Sequence, residues 1–234
     1  MIKKLLTPKP RKALILDAGA LINFSMNGLL YLLPRLKKSF PGLFLITHQV
    51  KHEVIDRPIK IERFELGALR VKRLLDNHTL SLPEDVGITE EQIQKQTRFL
   101  MNQANHFVKV RDQFVDIVSE GEMSCLALSS LLRHHNIDSL IAIDERTTRI
   151  LAEKPENLKE VIQHKMHQPA KIATKDFSTF KDFKFARSSE LVYVAHKKGL
   201  TNVHGPKALE ALIFATKFKG SSISWDEVNE LKKL

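Results

Sequence analysis

Three short apolar runs interrupt an otherwise mixed chain: Ala13-Leu14-Ile15-Leu16, Leu43-Phe44-Leu45-Ile46 and Leu140-Ile141-Ala142-Ile143. Four apolar residues without alternation are the pattern of a parallel strand covered on both faces. After the first run, residues 20–36 read as helix, broken near Asn27-Gly28 and again at Pro34. Pro41-Gly42 turns the chain into the second run. Thr47 then offers an N-cap for a helix over 49–55, which Arg57-Pro58 closes. Ile61, Phe64, Ala68, Val71 and Leu75 recur at three- to four-residue steps and predict an amphipathic helix. Leu80 and Leu82 suit a short edge strand before Pro83. Thr89-x-x-Gln92 is a capping-box pattern, and from there to Val118 the chain has no glycine or proline. Ile93, Leu100, Phe107 and Phe114 repeat every seven residues there, with Ala104 and Val118 between and beyond, which predicts one long helix or two with a kink.

Gly121 opens a helix of small and apolar residues that ends near His134-His135, and a helix over 147–152 follows the third run. Residues 153–187 are rich in lysine and phenylalanine, with a strand expected at 171–174. Helices are expected over 189–198 with Gly199 as C-terminal glycine, from Pro206 to before Gly220, and after Ser224-x-x-Glu227. The succession predicts one α/β domain over 1–234, its core at about 12–56 and 119–234 and a helical insertion at about 59–118.

A chain of 234 residues can bury a sizeable core. No uninterrupted span of ~20 apolar residues occurs, so no membrane helix is expected. Met1 to Leu6 soon meets Pro8, Pro10 and basic residues, without the apolar core of a secretory signal. The single cysteine, Cys125, excludes an internal disulfide and a multi-thiolate metal site, and a cytoplasmic address is the expectation. The net charge of +10 points to a polyanionic partner. Lys3, Lys4, Lys9, Arg11 and Lys12 form a basic arm that reads as a solvated terminus.

Against that positive background, four carboxylates occupy related positions. Asp17 and Asp144 each end an apolar run, Glu53 lies in the helix after the second run, and Glu122 opens the helix before the third. Parallel strands would bring all four to the carboxyl edge of one sheet, where α/β folds bind ligands. Carboxylates gathered in a partly buried cleft raise one another's pKa, and a hard divalent cation with oxygen ligands relieves the conflict. Each residue also has a plainer reading: Asp17 and Asp144 as helix caps, Glu122 as the last member of a Ser119-x-x-Glu capping box, Glu53 as a solvated helix residue.

Leu16-Asp17-Ala18-Gly19-Ala20-Leu21-Ile22, Thr47-x5-Glu53, Gly121-Glu122-x5-Leu128 and Ile143-Asp144-Glu145-Arg146-x2-Arg149-x2-Ala152, in this order, resemble the PIN-domain family. The likeness is greatest to its prokaryotic group with a Gly-Glu motif, related to the toxins of toxin–antitoxin pairs. The resemblance implies a three-layer α/β/α fold with a central parallel sheet. It also implies a Mg²⁺- or Mn²⁺-dependent endoribonuclease in which Asp17, Glu53, Glu122 and Asp144 hold the metal and position water. Asn23 or Ser25 would add a polar contact behind them. Arg146 and Arg149 would reach a phosphate or form structural ion pairs. RNA, in a single-stranded region, is then the substrate, and an antitoxin protein or a second copy of the chain are the protein partners implied. Ala18 departs from the small hydroxyl residue many members carry there, and 59–118 and 153–187 look like insertions.

His48-x3-His52 has a zinc-like spacing but lacks the glutamate placement of the zinc-protease motifs. His134-His135 and His164-x2-His167 read as exposed, and Cys125 as a small core residue. Two rivals to the nuclease reading remain. One is a non-catalytic RNA-binding or assembly protein on the same scaffold. The other is a receiver-like or phosphatase domain, for which Lys171 or Lys175 would have to stand at a later strand end.

Overall fold

Lys12–Leu16 forms β1, every residue of which after Lys12 is buried, so both of its faces are covered. The structure, a computed structural model, describes residues 12–174 and 176–233; most of the basic arm and Lys175 lie outside them. Asp17 caps α1 (Ala18–Met26), and α2 (Leu32–Ser39) follows a turn at Asn27-Gly28. The break expected at Pro34 does not occur, and α2 runs through it. Pro34 sits in the first turn, where no backbone donor is missed. β2 (Leu43–Leu45) leads through Thr47, which accepts from Val50 N at 3.1 Å, into α3 (His48–Lys51).

α4 (Glu62–Asp76) and α5 (Glu90–Ala104) come next, the second opened by the Thr89–Gln92 capping box. The long helix expected up to Val118 ends at Ala104. Beyond it, β3 (Val108–Val110) and β4 (Gln113–Phe114) form an antiparallel hairpin. Its two-residue turn is Arg111-Asp112, with φ of 50° and 61°. Two positive φ angles are what a hairpin turn of matching twist requires, and glycine usually supplies them. The absence of glycine made the stretch read as helix.

α6 (Glu120–His134) opens with the Ser119–Glu122 capping box and precedes β5 (Asp138–Ala142) and α7 (Arg146–Glu153). Residues 153–187 fold as α8 (Leu158–Met166), β6 (Ala170–Ile172) and β7 (Phe185–Ala186), so the strand expected at 171–174 forms one residue earlier and stops at Ile172. The chain closes with α9 (Ser188–Lys197), α10 (Ala208–Phe218) and α11 (Trp225–Lys233). Pro206 lies ahead of α10 rather than inside it.

Four parallel strands form the main sheet in the order β2-β1-β5-β7, with helices on both faces in a three-layer α/β/α arrangement. α6 lies along β1 and β5 and carries α3 and α5, while α1, α2 and α10 pack with α9. A smaller antiparallel sheet, β4-β3-β6, stands apart from it. Lys171 is on β6 and pairs with Asp112, so it is not at a strand end of the parallel sheet. Among the described residues no helix is long and apolar enough to cross a membrane.

Residues 59–118 share the core of the parallel sheet. Val71, Leu74, Leu80, Ile88, Ile93 and Leu100 belong to the same buried cluster as Ile15 and Leu16. The expected edge strand at Leu80–Leu82 is reduced to one bridge, in which Ser81 N donates to Phe44 O and Ile46 N to Ser81 O. Leu100→Ala should therefore cost about 2–5 kcal/mol in denaturant unfolding, the usual effect of emptying a closed core position. A loss below about 1 kcal/mol would mean that α5 is an appendage.

Candidate functional site

The parallel sheet sets one edge for its strand ends. Asp17 follows β1, and its N–H donates to Ala142 O at the end of β5. Asp144 lies two residues past β5, beside Ile143, whose N–H donates to Ala186 O of β7. Glu53 arrives from the segment after β2, in a π-helical turn over His52–Asp56 that widens the end of α3. Such turns cost helix regularity and recur at functional sites. Glu122 is in the first turn of α6.

Asp17 is the hub. It accepts from Gly19 N at 3.0 Å, so its plain role as a cap is real. Its carboxyl is also buried, and its pKa is pushed up to about 7. Burial is the main cause; the Gly19 N–H opposes it, and the negative charges of Glu122 and Glu53 reinforce it. Asp144 approaches from the other side: a Cβ placed on Gly19 would lie 3.2 Å from Asp17 Oδ2 and 4.0 Å from Asp144 Cβ. Cys125 lies beneath, fully buried, its thiol pushed far up first by burial and then by Asp17, which makes it an inert core residue.

Glu53 lies against Gly121, the residue before Glu122. A Cβ there would sit 2.8 Å from Glu53 Oε1 and 3.1 Å from Oε2, so only glycine lets that carboxylate lie against α6. Gln49 Nε2 donates to Glu53 Oε1 at 2.9 Å. Glu122 completes its capping box by accepting from Ser119 N at 3.1 Å. It also accepts from Thr148 Oγ1 at 2.5 Å, and burial raises its pKa. Among the described residues none of the four acids forms an ion pair.

Asp144 is held differently. Ser188 N donates to its Oδ1 at 2.8 Å, and Asn23 Nδ2 to its Oδ2 at 3.1 Å. Its expected role as a helix cap belongs instead to Glu145, which accepts from Thr148 N. Asn23 thus stands behind Asp144 and ties it to α10 by a second bond, to Thr216 O at 2.8 Å. Ser25 points elsewhere, against Gly67 of α4. Arg149 is buried in an ion pair with Glu153, whereas Arg146 is exposed at the start of α7. His48 pairs with Glu84.

Ser188 and Thr148 are contacts that the sequence reading missed. Ser188 follows β7, a strand of two residues that leaves no periodicity to read; its own hydroxyl is buried without a partner. Thr148 is marked only by its place four residues after Asp144.

The four acids therefore share one edge of the sheet. Among the described residues, however, no group of three histidine, cysteine, aspartate or glutamate side chains closes to metal-holding distances. In donor chemistry and charge the set suits a hard divalent cation: oxygen ligands only, partly buried and with no ion-pair partner among the described residues. Compared with protein-family models, with curated proteins and with solved structures, the chain matches none.

Proposed function

We propose that the protein is a Mg²⁺- or Mn²⁺-dependent endoribonuclease of PIN-like type, acting on single-stranded RNA. The observation that carries this reading is the state of Asp17: buried, flanked by Glu53 and Glu122, with its charge unbalanced by any cation among the described residues. A protein that held this aspartate only as a cap would gain nothing from two more carboxylates beside it. A bound divalent ion would supply an activated water and would stabilise the leaving oxygen of a phosphodiester. Asp17, Glu53 and Glu122 would have to draw closer than they stand here to hold it, with Asp144 fixed by Ser188 and Asn23 at the same edge. Arg146, exposed two residues past Asp144, would meet a substrate phosphate. The net charge of +10 would draw a polyanion toward an acidic centre that repels it locally.

The expected result is cleavage of an unstructured RNA in Mn²⁺ or Mg²⁺, abolished by chelation and reduced at least about a hundredfold in Asp17→Asn and Glu53→Gln. Cleavage by both variants at the parent's rate would remove the assignment. One observation favours a second reading, a non-catalytic RNA-binding scaffold: both carboxylate oxygens of Asp144 already accept protein donors. Calorimetric titration with Mn²⁺ separates the two, because a scaffold takes up no stoichiometric ion.

A further inference from the structure

The segment that locks Asp144 in place also carries an exposed aromatic cluster. Thr216 O accepts from Asn23, and Ser222 N donates to Asp144 O at 3.1 Å. Phe218 is two residues beyond the first of these contacts, and Trp225 three beyond the second. Either ring is thus within about 11 Å of chain from a residue tied to the acidic edge, at ~3.6 Å per residue. Phe218 is 71% exposed and Trp225 55% exposed. Their rings meet each other at 6.2 Å and the half-buried Phe214 at 6.3 and 5.6 Å. The planes cross at 46°, 61° and 67°, so no ring face is consumed by parallel stacking on a neighbour.

Phe214 packs on a small core of Ile213, Ile223 and Val228, which anchors that ring. Cations border the cluster. Lys217 Nζ lies 4.7 Å from the centre of the Trp225 ring while donating to Ile223 O. Lys219 is exposed next to Phe218. Glu210 is tied to Lys232, and Glu227 to Arg187, which leaves Asp226 and Glu230 as the other carboxylates of α11. Large aromatic surfaces beside lysines, in a protein of net charge +10, suit a ligand that is apolar on its faces and anionic along its backbone.

We propose that Phe214, Phe218 and Trp225 form a stacking platform for unpaired bases of the RNA whose backbone passes the acidic edge at Asp144. The platform rests on the ribonuclease reading for the direction of the strand, not for its own binding. It selects single-stranded over duplex RNA, because paired bases do not present free faces.

Trp225 is the only tryptophan of the chain, so its fluorescence reports on the platform alone. The experiment titrates the full chain, in EDTA, with a twelve-nucleotide oligoadenylate, a duplex RNA of equal length and inorganic polyphosphate. Oligoadenylate should quench the emission, whereas duplex and polyphosphate should not. Phe218→Ala, at a position open to solvent, should weaken oligoadenylate binding roughly 5- to 100-fold with an unchanged circular dichroism spectrum. Equal quenching by polyphosphate, no quenching by oligoadenylate, or undiminished binding by Phe218→Ala would overturn the platform. So would a parent dimer that Phe218→Ala converts to monomer in sedimentation, since the rings would then cover a second copy. Quenching without cleavage in Mn²⁺ would retain the platform and reject the nuclease; cleavage without quenching would do the reverse.

Discussion

Asp17→Asn is expected to make the protein more stable at pH 8 in the absence of divalent ions. The carboxyl titrates near 7 when folded and near 3.8 when free, so between these values the folded chain keeps a proton that the unfolded chain sheds. Stability from this group is therefore full below about pH 4, falls as pH rises, and is lost above about 7. Three pKa units correspond to about 4 kcal/mol at pH 8, taken as an order of magnitude. Asparagine has nearly the same shape, caps helices as well as aspartate does and carries no charge to desolvate. What it forfeits is the attraction of an anion for the N-terminus of α1, about 0.3–1 kcal/mol. The desolvation effect wins. Thermal unfolding should show Tm several degrees above the parent at pH 8 and converging with it toward pH 4. An equal or lower Tm at pH 8 would show that Asp17 is not held uncompensated. With Mn²⁺ added the order should reverse, because only the parent gains a ligand.

Gly121→Ala separates site from fold in the other direction. The new methyl group would press on the Glu53 carboxylate at 2.8 Å, and that carboxylate is the movable end of a half-buried side chain. It will swing aside, and α6 will stand. The helix gains up to about 1 kcal/mol from the better helix former, so Tm should hold or rise slightly. Divalent-dependent cleavage should fall on the order of 10- to 100-fold, the scale seen when a metal ligand loses its support. Gly67→Ala is the control: it makes the same change within a helix, but its neighbour is Ser25, which lies outside the acidic edge. Loss of cleavage there, or none at Gly121→Ala, would contradict the geometry.

How much of this was legible depended on whether the signal was local. The Thr89–Gln92, Ser119–Glu122 and Ser224–Glu227 capping boxes are written within four residues and all form. The three apolar runs are strands for the same reason, and each carries its acid to the same edge. The β3–β4 hairpin was hidden because Arg111 and Asp112 adopt a backbone that their side chains do not advertise. β7 was hidden because its two residues take their register from β5 rather than from any pattern of their own. Losing β7 also lost Ser188, one of the two groups that donate to the Asp144 carboxylate. The plain readings of Asp17 and Glu122 hold, and they leave room for the functional one. Both are caps, and both face the same carboxylate neighbourhood.

The sheet is closed at its two margins by different means. On the outer side of β2, Ser81 takes up the backbone groups of Phe44 and Ile46, and Pro83 follows within two residues. At the opposite margin β7 offers a ladder only two residues long. Neither border gives another polypeptide a template for lengthening the sheet, which is how unprotected strands recruit neighbours into aggregates. Strand addition is therefore closed to the parallel sheet, and the β-forming sequence at the centre of the molecule is kept from other copies; the unpaired outer sides of β4 and β6, in the smaller sheet, are where a strand could still be added.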